Sequence, residues 1–490
     1  MKTSFIYIFI FISFLIVSEE EHAIKIYIAS EIVTLNTKND EVEAVAVQNS
    51  KIIDVGSAEK LSTSYPDADV VLDYQDHVIV PGFIEHHIHP FLAAVTMNSE
   101  IIAIDDWVLQ EKVSKGVKNR EDYLDRLSEV EARHPNDQPL VSWGFHHYFH
   151  GRLTKNDLDN ISTIRPIIVV HRSFHEFILN TPAMKLLGIS RNAFPGLEEE
   201  KHLANFEEGH FSERGAIVVL PNLMTVLAAP KKLMLGLQKT KDYIHGNGIT
   251  LIGNPGSMYS REIQMAKNYI LGSLDTPFES YFFPSGLNLS EQFELNKILN
   301  AAKEQTTWGG GKVNFLPNHI KLFTDGAMYS QNMMMREGYL DNHQGVWLMD
   351  NKNYRELFKL FWDANYQIHI HQNGDAALDR LLNNLEENLI NNPRKDHRTT
   401  VVHFGYSAKD QLQRMKDLGV VVSANPYYVT TLSDLYSRQG VGYERSQEMV
   451  RLGDVVRENI IVSLHSDMPM APASPLQLMH SAVNRTNFAN

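Results

Sequence analysis

Eight apolar runs, each of strand length and each ending in polar residues, alternate along the chain with stretches of helical periodicity. They cover residues 82–89, 250–254, 280–284, 319–323, 367–371, 400–404, 420–424 and 460–465. Strand-like runs that alternate with helices are the pattern of parallel βα units, and eight of them predict an α/β protein built as a (β/α)8 TIM barrel. Ahead of the first run, short alternating strands at 24–28, 43–48 and 51–55 are separated by Asn and Asp turn residues. They predict a small β domain over residues 23–80. The barrel then takes residues 81–490, interrupted after its first strand by an insertion from about 98 to 246 with strands of its own at 140–145 and 166–170. The insertion is expected to lid or wall a pocket.

A 490-residue chain that is 43% hydrophobic and 21% charged has the balance of a globular protein. Its net charge of -14 and lack of Lys/Arg clusters speak against a nucleic-acid partner. Cysteine is absent, which removes disulfides, thiolate nucleophiles and Cys-ligated metal centres. Any metal must therefore sit on nitrogen and oxygen, and the 22 histidines are a source of such ligands. At the N-terminus, Lys2, an uncharged apolar run from Phe5 to Val17, and Ser18 before Glu19, Glu20 and Glu21 have the form of a secretory signal peptide over residues 1–18. Export to the periplasm or the medium is expected, with a membrane anchor as the outcome if the segment stays uncleaved.

Enzymes of barrel architecture keep their active sites at the C-terminal ends of the strands. Five of the eight runs end in a metal-competent residue. In the first, His87 and His89 lie two apart, so in a strand both imidazoles face one side while Ile88 faces the other. His86 has the opposite parity and is left out. Two such histidines alone more often mean core or surface residues. His371 and His403 each close a strand, and His369, deeper in the same strand as His371, reads as a packing residue within hydrogen-bonding reach of a ligand. Asp467 follows the eighth run, where a carboxylate can bind a metal and take a proton from water, or simply cap the next turn. Lys321 sits in an otherwise apolar strand, and a buried ammonium must be paired or chemically altered. A salt bridge to Asp325 is one solution, and spacing alone does not choose.

Together these residues resemble the amidohydrolase superfamily, and specifically its amidohydrolase 3 branch of YtcJ-like proteins and N-substituted formamide deformylases. The matching segments are 44–56, 81–89, 175–190 around Asn180, 321–327, 371–376, Val402-His403, and Ser466-Asp467 with Pro469. The resemblance implies that Lys321 is carboxylated by CO₂ and bridges two metals, zinc being the usual occupant, with a single metal if Lys321 is unmodified. It implies His87 and His89 on one metal, His371 and His403 on the other, and Asp467 as ligand and general base. His175 matches a position that lines the substrate pocket, with a structural role as its alternative, and Asp325 and Asp375 are expected to orient ligands or cap the next helix. The implied activity is hydrolysis of carbon–nitrogen bonds other than peptide bonds, of amide, N-acyl or formamide type, on a small-molecule substrate.

This sequence departs from the family pattern at Gly253-Asn254, after the second strand, and at 144–148, which reads Gly-Phe-His-His-Tyr. Both are expected to change the pocket wall. His146, His147 and His150 are candidates for substrate or an extra metal, or for a solvated loop. The family normally returns through further C-terminal strands to complete the small β-sandwich, so the expectation is either a sequence that is a fragment or an incomplete sandwich with an unpaired edge. No membrane partner is expected once the signal is cleaved, and a homodimer is allowed. Deamination or lactone and ester hydrolysis at the same site, or an exported binding protein whose site has decayed, are the competing functions.

Overall fold

The structure is a computed structural model and describes residues 23–36, 41–135, 138–197 and 203–487. The expected signal segment lies outside the described residues. The chain divides into two compact units, Met1–Gly82 and Phe83–Asn490.

In the first unit, one sheet has the order Lys51–Gly56, Glu41–Gln48, Lys25–Val33, Asp69–Ile79. The first three strands pair antiparallel and Asp69–Ile79 joins Lys25–Val33 in parallel. Alternation along Lys25–Val33 and Glu41–Gln48 buries Ile26, Ala44 and Ala46 with Leu61 of the helix Ala58–Ser64, while Ala29, Ile32 and Val45 form a second small cluster. The sequence predicts three strands and part of a sandwich; the described residues form a single four-stranded sheet. The strand missing from that prediction, Asp69–Ile79, is an edge on which Val70, Leu72, Tyr74 and Val78 are exposed.

The second unit holds two parallel sheets. One has the order Val313–Phe315, Glu279–Pro284, Ile249–Ser257, Phe83–Glu85; the other runs from His319–Phe323 through Gln367–Gln372, Thr400–His403 and Val421–Ala424 to Val462–Leu464. Every one of the eight expected runs contains a strand, and Val313–Phe315 is additional. One face of these strands is apolar and covered by helices such as Asn351–Asp363 and Asp375–Asn391, which bury Leu357, Phe361, Leu378 and Leu381 against Ile320 and Ile368, while the other face carries polar residues such as Lys321, His369 and His371. Hydrogen bonding does not run as one continuous ladder around all the strands. Single parallel bridges, Ser285 to Lys321 and Ile88 to Met468, join the sheets at both of their junctions.

The insertion builds a mixed six-stranded sheet, ordered Ala204–Asn205, His210–Ser212, Glu176–Leu179, Ile167–His171, Leu140–Phe145, Glu100–Ile101. Only the two longest of these strands are among those predicted. The others span two to four residues, too short for a periodic signal.

Candidate active site

The ends of the first and last parallel strands are stitched together by their own backbones. Asp467 N–H donates to the carbonyl of His87 at 3.2 Å, and His89 N–H donates to that of Met468 at 2.8 Å. Glu85 adds a side-chain tie, its carboxylate accepting from the backbone N–H groups of His87 at 3.2 Å and Ser466 at 2.9 Å. Burial pushes the Glu85 pKa up to about 7 against these hydrogen bonds. The result places Asp467 Oδ1 3.4 Å from His87 Nε2 and 3.2 Å from His89 Nε2, and Asp467 Oδ2 3.8 Å from His403 Nδ1. His371 closes the group, its ring centroid 4.5 Å from that of His403. Both His403 and Asp467 adopt left-handed backbone, at φ 74° and 62°, a conformation that costs energy for a side-chain-bearing residue and clusters at functional sites.

Lys321 lies at the centre of its strand and is fully buried, and its Nζ has no hydrogen-bond partner. The salt bridge to Asp325 is not formed. Asp325 instead spends its carboxylate on three backbone N–H groups, those of Asn373 at 3.0 Å, Gly374 at 2.8 Å and Met334 at 2.9 Å, and so clamps the loop that follows His371. Burial lowers the Lys321 pKa to about 7, against the pull of Asp467. Gly256, beside the lysine stem, has a φ of +85°, a backbone conformation that favours glycine. His87 Nε2 and Asp467 Oδ1 are likewise buried without a hydrogen-bond partner. Buried polar atoms are nearly always satisfied, so three orphans in one group mark a place shaped for something that bonds to all of them. Imidazole nitrogens and a carboxylate oxygen are the donor set for a borderline divalent ion, and His87, His89 and Asp467 offer ligand atoms within 4.8 Å of one another.

His465 is a functional neighbour that the strand-end reasoning passes over. Its Nε2 hydrogen-bonds His403 Nδ1 at 3.1 Å, its Nδ1 is anchored by Ser423 Oγ at 2.8 Å, and its ring stacks on His87 at 4.5 Å. It shares the strand parity of Asp467, two residues on, and that parity was the available signal. His369 does not reach the ligands: its Nε2 hydrogen-bonds His319 Nδ1 at 3.0 Å and its ring packs on Phe283. His86 points to Ser423, 2.7 Å from its Nε2.

A cavity of about 370 Å³ opens on this group, with His89, His371 and Asp467 at one side. The insertion contributes Phe174, His175, Leu220 and Met224 to its lining, and Asn254, at the first departure from the family pattern, lines it too. Next to Asn254, Gly253 runs so close to the carbonyl of His86 that a Cβ would sit 2.2 Å from its oxygen. His175 Nδ1 is 2.9 Å from Glu213 Oε2; burial opposes its charge, but the carboxylate prevails and raises its pKa. Asn180 is structural: it caps the helix Thr181–Leu186 and also bonds the backbone of Ile167, Ser162 and Arg165. Asp375 opens the helix Asp375–Asn391 and accepts from the backbone of Arg336 at 2.8 Å. Arg172 is wholly buried, ion-paired with Asp105, donating to the carbonyl of Met470 at 2.5 Å and lying 4.8 Å over the Tyr329 ring. The solvated-loop alternative for 146–150 fails, because His146 and His150 are fully buried. His150 is tied to the carbonyl of Val117 and stacked on Tyr123.

Comparisons with known proteins place the same residues in a family. Residues 70–490 match the amidohydrolase family. The chain is 24% identical to the N-substituted formamide deformylase of Arthrobacter pascens and 23% identical to YtcJ of Bacillus subtilis (strain 168), in each case over 93% of this chain and 82% of the relative. Its fold resembles those of two uncharacterized metal-dependent hydrolases, from Pyrococcus horikoshii (TM-score 0.68, 18% identity, 94% of this chain and 86% of that one) and Pyrococcus furiosus (TM-score 0.65, 20% identity, 94% and 89%). With the match spanning the parallel sheets, the insertion and the histidine, lysine and aspartate group alike, the chain belongs to the amidohydrolase family.

Proposed function

We propose that this chain is a metal-dependent hydrolase of carbon–nitrogen bonds other than peptide bonds, acting on an amide, N-acyl or formamide group. The observation that carries the reading is the meeting of three unpartnered buried atoms, His87 Nε2, Lys321 Nζ and Asp467 Oδ1, beside an apolar cavity. The two parallel sheets are read as one closed (β/α)8 barrel, a reading supported by the bridges at both junctions. His87 and His89 would hold one divalent ion, His371 and His403 a second, and Asp467 would contribute to the site; zinc suits this nitrogen and oxygen donor set. Addition of CO₂ to the Lys321 amine, with loss of a proton, would replace an unpaired buried amine by an anionic carbamate able to bridge both ions. The ions supply Lewis acidity, which makes water a usable nucleophile near neutral pH and polarises a carbonyl.

The chain's own residues do the rest. Asp467, with Oδ1 free of hydrogen bonds, takes a proton from the attacking water and delivers it to the departing nitrogen. His465 fixes the ring of His403, and Asp325 fixes the loop beyond His371, so the ligands are held before substrate arrives. Phe174, Leu220 and Met224 take an apolar substituent of the substrate, and His175, its imidazolium favoured by Glu213, contacts a polar oxygen on it. The test is metal quantitation of the purified chain coupled to a panel of formamides and N-acyl amines. Stoichiometric metal with turnover of at least one such substrate is expected. Metal-free protein after refolding with zinc and bicarbonate, or turnover confined to lactones and esters, would refute the assignment.

A further inference from the structure

The insertion carries a second group of metal-ligating side chains that shares no residue with the strand-end site. His147 opens the short helix His147–His150, His171 ends the strand Ile167–His171, and Glu176 begins Glu176–Leu179. One ligand atom from each lies within 4.8 Å of the other two. His147 Nδ1 is 3.7 Å and His171 Nε2 3.9 Å from Glu176 Oε1, too far for hydrogen bonds. Both of those nitrogens are buried and have no hydrogen-bond partner. Two ligands about 2.1 Å from a tetrahedral ion stand roughly 3.4 Å apart, so contraction by a few tenths of an ångström would bring each imidazole to coordination spacing with Glu176.

The surroundings orient these atoms as a ligand shell. His171 Nδ1 lies 2.8 Å from Ser173 Oγ and accepts from the Ser173 backbone N–H at 3.2 Å, which holds the ring with its other nitrogen towards Glu176. His210 Nε2, 3.0 Å from Glu176 Oε2, occupies the second carboxylate oxygen and leaves Oε1 facing the two imidazoles. Such partners on the far side of His171 and Glu176 fix the direction in which each presents its remaining atom. A cavity of about 420 Å³, bordered by His147, Glu176, Arg152 and Glu208, gives access from one side. We propose that His147, His171 and Glu176 form a second, separate site for a divalent ion of the zinc class, with a fourth position open to this cavity. An ion there would pin the helix and two strands of the insertion to one another.

The test uses the full-length, metal-loaded protein. Metal per chain is measured for wild type, Glu176→Gln and His171→Asn, with His147→Gln as a third variant on the half-exposed short helix. Each variant is expected to lose one equivalent of zinc, while a His87→Asn/His89→Asn variant loses its own equivalents and keeps this one. Unchanged metal content in folded Glu176→Gln and His147→Gln would overturn the proposal. Should the variants misfold, anomalous diffraction at the zinc edge from wild-type crystals decides: a peak between His147, His171 and Glu176 supports the site, and none there overturns it. A peak at this position with the strand-end group empty would retain this site and remove the proposed hydrolase.

Discussion

The two histidine groups of the second unit differ in what their carboxylate is free to do. At the strand ends, Asp467 Oδ1 faces His87 and His89 without a hydrogen bond, next to a lysine that also lacks a partner, and the group opens on an apolar cavity. In the insertion, Glu176 is already engaged through Oε2 by His210, and the adjoining cavity is bordered by Arg152 and Glu208. A carboxylate with a free oxygen beside dry walls can carry a proton during a reaction. One held on its far side, as Glu176 is by His210, has its remaining oxygen fixed in direction and is suited to hold an ion. Donor type alone does not separate the two, since both offer imidazoles and a carboxylate.

If that freedom is what makes the strand-end group catalytic, removing Asp467's proton-accepting ability should give the largest effect of any single change. Asp467→Asn is expected to lower kcat by about 10²- to 10⁴-fold while bound metal is retained, measured on whichever amide or formamide is turned over. Lys321→Met comes next. It removes an unpartnered buried amine, so the metal-free variant should melt higher than metal-free wild type, yet bind less metal; a variant that melts lower would show that the lysine has a partner in the folded protein. His465→Asn should weaken metal affinity or activity about 10- to 100-fold through loss of the hydrogen bond to His403, and unaltered values would reduce His465 to packing.

A last measurement, of stability rather than activity, reads how dry the first cavity's wall is. Lys267 lines that cavity, hydrogen-bonds Ser257 at 2.8 Å, and is held by burial at a pKa of about 7 against a usual 10.5. Because the unfolded chain binds the extra proton between those values, stability should rise as pH climbs from about 7 to 10.5. The slope is at most about 1.4 kcal/mol per pH unit. Lys267→Met should flatten that part of the curve in denaturant melts taken across the range, and an unchanged slope would mean that water reaches the amine.

Much of the strand-end group is legible in the sequence because parity and position do the geometric work. Alternation in the sequence puts His87 and His89 on one side, and they do meet at Asp467 although the strand itself ends at Glu85; His371, His403 and Asp467 sit at or just beyond the ends of parallel strands, where their approach needs no knowledge of any side-chain contact. His465 escapes because a strand residue two before an acidic one reads as core. The insertion site escapes for a different reason. His171 and Glu176 approach His147 only once strands of four to six residues pair into a mixed sheet, and the neighbour His210 arrives from a strand of three. Nothing in their spacing encodes that pairing. The free Lys321 was equally out of reach, since only the structure shows Asp325 committed to backbone N–H groups.

Arg172 makes the insertion inseparable from the chemistry it borders. One guanidinium, held by Asp105 within the insertion, also grips the carbonyl of Met470, three residues beyond Asp467. Deleting the insertion, or grafting in one from a relative, would remove the guanidinium from that carbonyl and loosen the turn that aims the aspartate. Engineers seeking new specificity should therefore vary Leu220 or Met224 singly and leave the strut intact, because loop exchange in this enzyme trades the catalyst for the pocket.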